Sequence, residues 1–146
     1  MCSCSNILKY QELNDFLASS NDNLLKLTLE YLFNNGHCGK QNRTTISNIL
    51  TYLAQQTGQT LSKEQFQHHI LIPLKRNNLV VSLPYGGKKG GIFIPCTEDD
   101  IKELYHQMLR RTLSEFENIQ SLIEESNFNH NISRIIHNIN DEINNL

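Results

Sequence analysis

The sequence predicts a mainly α fold of the α+β class: a run of helices, one two-stranded β hairpin, and a long helical arm after it. Three observations carry this. Apolar residues recur every three or four positions up to Arg76. The period then changes at the β-prone run Leu79-Val80-Val81-Ser82-Leu83. From Thr97 onward the helical period returns and no Gly or Pro interrupts it.

The first helix is expected over about 7–18, with Ile7, Leu8, Leu13, Phe16 and Leu17 apolar. Asn21 or Asp22 can cap the second, because a short polar side chain satisfies free N–H groups at a helix start. That helix carries Leu24, Leu25, Thr28, Leu29, Leu32 and Phe33 and stops at Asn34-Asn35-Gly36. Thr44 or Thr45 opens a third helix with Ile46, Ile49, Leu50 and Leu53, ending near Gly58. The fourth runs from Leu61 to about Arg76, capped by Thr60 or Ser62. Its core face is expected to be Phe66, Ile70, Leu74 and Asn77. Pro73 lacks an N–H and clashes with the preceding turn, so a kink or an end is expected near Ile72.

Strand, glycine-rich turn, strand follows: Pro84 to Gly91 must turn, and Ile92-Phe93-Ile94 is β-prone again. Helix, helix, helix, hairpin is the order of a winged helix-turn-helix with a two-stranded β wing. Residues 1–97 are read as that domain with an N-terminal helical extension, and 98–146 as a helical dimerisation arm. Thr97 caps the arm, with Glu98, Asp99 and Asp100 at the positive end of the helix dipole. The helix is expected to reach about Ser126. A last amphipathic helix carries Ile132, Ile135, Ile136, Ile139, Ile143 and Leu146.

The text of residues 60–125 resembles the small winged-helix DNA-binding proteins of phages and prophages. The matching pieces are Leu61-Ser62-Lys63-Glu64-Gln65-Phe66, Pro73-Leu74-Lys75-Arg76-Asn77-Asn78, Gly91-Ile92-Phe93-Ile94, Thr97-Glu98-Asp99-Asp100 and the pair Arg110-Arg111. The resemblance covers less than half of the chain and implies a polar recognition helix followed by a wing. Two departures stand out. Where such proteins usually carry arginine, this helix has Gln65, Gln67, His68 and His69, and it contains Pro73.

Charge is distributed unevenly behind a net value of −2. Residues 1–61 hold four basic and four acidic side chains, and residues 62–91 hold five basic against Glu64 alone. Residues 92–146 hold four basic and ten acidic. A local basic patch can bind phosphate whatever the overall sum.

The candidate DNA-contacting residues are Thr45, Ser62, Lys63, Gln65, Gln67, His68, His69, Lys75, Arg76, Tyr85, Lys88 and Lys89. Glutamine can pair with adenine in the major groove, and basic side chains hold phosphates. Lys88 and Lys89 on a glycine-rich tip suit contacts independent of sequence. This loop lacks the GxxxxGK[ST] order of a nucleotide-binding loop. In the arm, Tyr105, Leu109, Thr112, Phe116, Ile119 and Ile123 step by four and three, a heptad-like seam. Tyr105, Leu109, Phe116, Ile119 and Ile123, with Ile135 and Ile139 of the last helix, are the expected dimerisation residues. A purely intramolecular helical hairpin is the alternative use of these stripes.

Cys2, Cys4, Cys38 and Cys96 fit no zinc spacing and are expected as free thiols in a reducing cytoplasm. No catalytic motif, cofactor or metal site is expected, and no membrane span or signal peptide is read. The expected partners are double-stranded DNA and a second copy of the chain. The expected role is transcriptional regulation, or replication or maintenance of a mobile element. The alternative is a winged-helix adaptor that binds another protein.

Overall fold

The computed structural model describes residues 10–84, 90–122 and 128–146. The chain divides into two compact units, Met1–Ile101 and Lys102–Leu146.

The first unit opens with α1 (Tyr10–Ser19) and α2 (Asn23–Asn34). The carboxylate of Asp22 caps α2, accepting the N–H groups of Leu24 at 2.9 Å and Leu25 at 3.2 Å. A single 3-10 turn, Lys40–Asn42, leads into α3 (Ile46–Thr57). Thr45 caps α3 through the Asn48 N–H at 3.2 Å, and Gly58 ends it in the left-handed conformation that glycine adopts without cost.

The fourth helical run begins at Ser62, whose side chain accepts the N–H of Gln65 at 3.1 Å. Gln65 answers by accepting the Ser62 N–H at 2.9 Å, which closes a capping box. The run comprises α4 (Lys63–Phe66), a wide turn over Gln67–Leu71 and α5 (Ile72–Arg76). In the wide turn the Ile72 N–H reaches back five residues, to the carbonyl of Gln67, instead of four. Of the kink or end expected near Ile72, the end does not occur: the run continues to Arg76, and the irregularity takes the form of this wide turn. The chain absorbs the missing donor and the ring by inserting one extra residue into the turn.

That insertion also corrects the expected core face. Phe66, Ile70 and Leu74 are fully buried, and so is Leu71. Asn77 is exposed, and its side-chain amide instead donates to the Pro73 carbonyl at 2.9 Å.

β1 (Val81–Leu83) and β2 (Gly91–Phe93) pair antiparallel in the register Val81↔Phe93, Ser82↔Ile92, Leu83↔Gly91. A third segment lies along β2: Thr44 and Ile92 exchange N–H···O bonds at 2.9 and 2.8 Å, and the Gly39 N–H meets the Ile94 carbonyl at 2.8 Å. The arrangement is mainly α with a two-stranded antiparallel β wing. Tyr85, Lys88 and Lys89 lie outside the described residues.

The core of this unit joins Leu13 of α1, Leu25, Leu29 and Leu32 of α2, Ile49 and Leu53 of α3, the buried face of the fourth run, and Ile92 and Ile94. Burying such side chains contributes roughly 1.5–3 kcal/mol each before entropy is counted. Cys38 and Cys96 are both disulfide-bonded, so the expectation of free thiols fails for these two. Their side chains sit beside the core among buried apolar groups. Cys2 and Cys4 lie outside the described residues.

In the second unit, α6 (Glu98–Leu122, with its first turn in the first unit) and α7 (Phe128–Asn145) form an antiparallel pair. The Tyr105 hydroxyl donates to Glu142 at 3.3 Å, and the Gln120 amide donates to the Ser133 hydroxyl at 2.8 Å. Desolvation and the adjacent Glu142 carboxylate push the Tyr105 phenol above its ordinary value.

Candidate nucleic-acid interface

The exposed surface of the fourth helical run is polar and almost free of negative charge. Ser62, Lys63, Gln65, His68 and His69 are exposed at its beginning, and Gln67 is half-buried. Arg76 is exposed at its end, where Lys75 is half-buried. Thirteen residues separate Lys63 from Arg76, about 20 Å at a helical rise. By α-helical spacing Gln65, His68, His69, Lys75 and Arg76 face away from the core, with Lys75 and Arg76 at the helix exit. The structure likewise leaves an N-terminal cluster and a C-terminal basic pair.

The position of Gln65 limits what it can do. Its carbonyl oxygen is already engaged by the Ser62 N–H. Pairing with both hydrogen-bonding positions of adenine needs the oxygen and the amide nitrogen together. The oxygen keeps a second lone pair, but the capping bond turns the side chain back toward the helix start, which opposes presenting both groups to a base. The imidazoles of His68 and His69 carry donor and acceptor nitrogens without such a tie to the helix start.

Thr45 is exposed at the beginning of α3, which packs on α4. Its hydroxyl oxygen already accepts the Asn48 N–H, leaving the hydroxyl proton for an outside acceptor.

Sequence reasoning missed Lys40 and Arg43. Its window boundary at residue 61 mixed them with the acids of α1 and α2. Between residues 31 and 97 there are seven lysines and arginines and one acid, Glu64. Lys40 is exposed on the 3-10 turn. Arg43 is a fastener: its Nε donates to the Gly90 carbonyl at 3.0 Å and Nη1 to the Lys40 carbonyl at 2.8 Å. It thereby ties the root of the wing to the turn before α3. Gly91 makes that close passage possible. At φ +142° it has no Cβ, and one added there would stand 2.9 Å from the Thr44 carbonyl.

The expected dimerisation residues are distributed over the second unit. Tyr105, Ile119 and Ile135 are exposed, Leu109, Phe116 and Ile139 are half-buried, and Ile123 lies outside the described residues. Met108 and Leu122 add to the exposed apolar surface, Leu122 at 84%. Among the described residues no group of three or more His, Cys, Asp or Glu side chains could hold a metal ion. Among them, too, no helix is long and apolar enough to cross a membrane.

No family model matches the chain, and no solved structure matches it. Among curated proteins it is 36% identical to a protein of Methanocaldococcus jannaschii provisionally named control protein C.MjaVP. The alignment spans 96% of this chain and 92% of that relative. A likeness of that extent runs through the capped helices, the hairpin and the arm alike, and the chain belongs to the family of control proteins that C.MjaVP represents.

Proposed function

We propose that this protein is a regulator that binds double-stranded DNA in a sequence-specific way. The helix Lys63–Arg76 enters the major groove, and the wing lies along the backbone. The observation that carries this reading is the segregation of charge. Residues 31–97, from the end of α2 through the wing, hold seven basic side chains against one acid, whereas residues 98–146 hold four against ten. Phosphate attraction accounts for most non-specific DNA affinity and needs such a face. Kinship to a control protein supports a regulatory role rather than an enzymatic one.

In this reading Gln67, His68 and His69 face the base edges, beside Gln65, which caps the helix. Thr45, Ser62, Lys63, Lys75, Arg76, Tyr85, Lys88 and Lys89 meet the backbone. The unit after Thr97 serves as a dimerisation arm. Its exposed apolar side chains, Leu122 above all, need a cover that a second copy supplies. Two copies double the short footprint of one winged helix and bind at high effective concentration. The setting is transcriptional regulation or maintenance of a mobile element such as a phage or plasmid.

The test is a gel-shift titration against random duplex DNA at two salt concentrations. Binding that weakens steeply with salt is expected. Absence of binding at low salt would sink the reading and favour an adaptor that binds another protein. The absence of arginine from Lys63 to Lys75 is the observation that speaks for that second reading.

A further inference from the structure

The wide turn at Gln67–Leu71 governs which side chains can read DNA. In an unbroken α-helix, residues three, four and seven apart share a face. Gln65, His68, His69, Ile72 and Arg76 would then form one continuous outward stripe, with Leu71 at its edge. The structure differs. Leu71 is 2% exposed and Ile72 is half-buried, while His68 and His69 are both exposed. One extra residue in a turn rotates everything after it by about 100° relative to an unbroken helix, the angle one residue takes at 3.6 per turn. The stripe therefore stops at His69, and Arg76 is carried to the flank.

Pro73 is the residue that demands this. It has no N–H for the His69 carbonyl, and its ring would press on that same carbonyl in α geometry. At the other end of the stripe, Gln65 is committed to the Ser62 N–H at 2.9 Å. What remains outward and uncommitted to the helix start is the pair His68 and His69, both inside the wide turn itself.

We propose that His68 and His69 are the base-reading pair of this helix, that Pro73 positions them through the wide turn, and that Gln65 is a cap and Arg76 a phosphate contact. This rests on the DNA-binding reading above and narrows it: the ligand is a major-groove edge offering acceptors or donors to two adjacent imidazoles, over a footprint shorter than the helix. An imidazole N–H can donate to the N7 or O6 of guanine, and its bare nitrogen can accept from an exocyclic amine.

The experiment compares a duplex selected from a random pool by the full-length protein with a scrambled duplex of the same composition. The readout is the ratio of the two affinities. His68→Ala and His69→Ala should each lower that ratio about tenfold or more, with affinity for the scrambled duplex held within twofold. Gln65→Ala should lower the melting temperature and leave the ratio unchanged. Arg76→Ala should weaken both duplexes equally. Pro73→Ala should keep the fold and lose discrimination, which a loss of stability alone would not do, since that lowers both affinities together. If Pro73→Ala does not fold, the histidine and glutamine variants still decide. A ratio that collapses in Gln65→Ala and survives in both histidine variants overturns the proposal. Wild-type protein that binds neither duplex overturns the DNA-binding reading itself, a result distinct from unchanged discrimination in the variants.

Discussion

The carboxylate of Asp100 accepts the backbone N–H of Lys40 at 3.3 Å across sixty residues of sequence. Its other oxygen accepts the N–H groups of Cys96 at 2.9 Å and Thr97 at 3.0 Å. In return the Asp100 N–H donates to the Thr97 hydroxyl oxygen at 3.2 Å. One buried carboxylate thus holds together the turn before α3, the chain leaving β2 and the first turn of α6. The sequence placed Asp100 in a set of three acids serving the helix dipole.

Asp100→Ala should therefore cost far more than Glu98→Ala. It leaves three N–H groups without their acceptor, and an unsatisfied buried donor costs about 1–3 kcal/mol. A loss of about 3 kcal/mol in urea unfolding is expected, against about 0.5 kcal/mol for Glu98→Ala, an exposed first-turn acid. Equal small losses would show that the three bonds contribute little.

Gly91 and Gly58 make a matched pair. Both have positive φ, but a Cβ at Gly58 meets nothing within 4 Å, whereas at Gly91 it meets the Thr44 carbonyl at 2.9 Å and the Arg43 side chain at 3.0 Å. Gly58→Ala should cost about 1 kcal/mol, the left-handed penalty alone. Gly91→Ala should exceed it by at least that much and should loosen the Thr44–Ile92 pairing. Amide exchange at Ile92 faster than in wild type would register the effect. Equal costs would mean that the strand shifts aside freely.

The wing lysines can be tested without knowing the target sequence. Changing Lys88 and Lys89 together to alanine should weaken binding to every duplex about equally. It should also flatten the slope of log affinity against log salt by roughly 1.8, at about 0.9 for each phosphate no longer neutralised. An unchanged slope would remove the wing tip from the interface.

The exposed stripes of the arm bear on assembly. Phe116 is half-buried and Ile119 is 41% exposed on the hairpin. Aspartate at both positions would place unpaired charge in any interface formed there, which is strongly unfavourable. Sedimentation should show a dimer for wild type and a monomer for the double variant, with the winged unit still folded and DNA affinity sharply reduced. A wild-type monomer at micromolar concentration would leave the α6–α7 hairpin as the whole use of these stripes.

The local grammar of the chain was legible in the sequence. Asp22, Thr45 and Thr97 sit where short polar side chains can satisfy free N–H groups. Gly36 and Gly58 end helices at positive φ, and the change from a period near 3.6 to β-branched runs announced the hairpin. These features need only neighbours within four residues. The Ser62–Gln65 capping box was equally local, and its spacing was legible, yet Gln65 was read as a free side chain facing outward. The rest depends on partners far along the chain, or on a contest between them, and so waited for the folded molecule. Asp100 finds Lys40, and Arg43 finds Gly90, because β2 brings residues 37–44 alongside the hairpin. The wide turn was settled by a competition. Leu71 lies at the edge of the polar stripe by α-helical spacing. Burying it beside Ile70 removes an apolar side chain from water, and Pro73 had already removed the hydrogen bond that would have resisted the change.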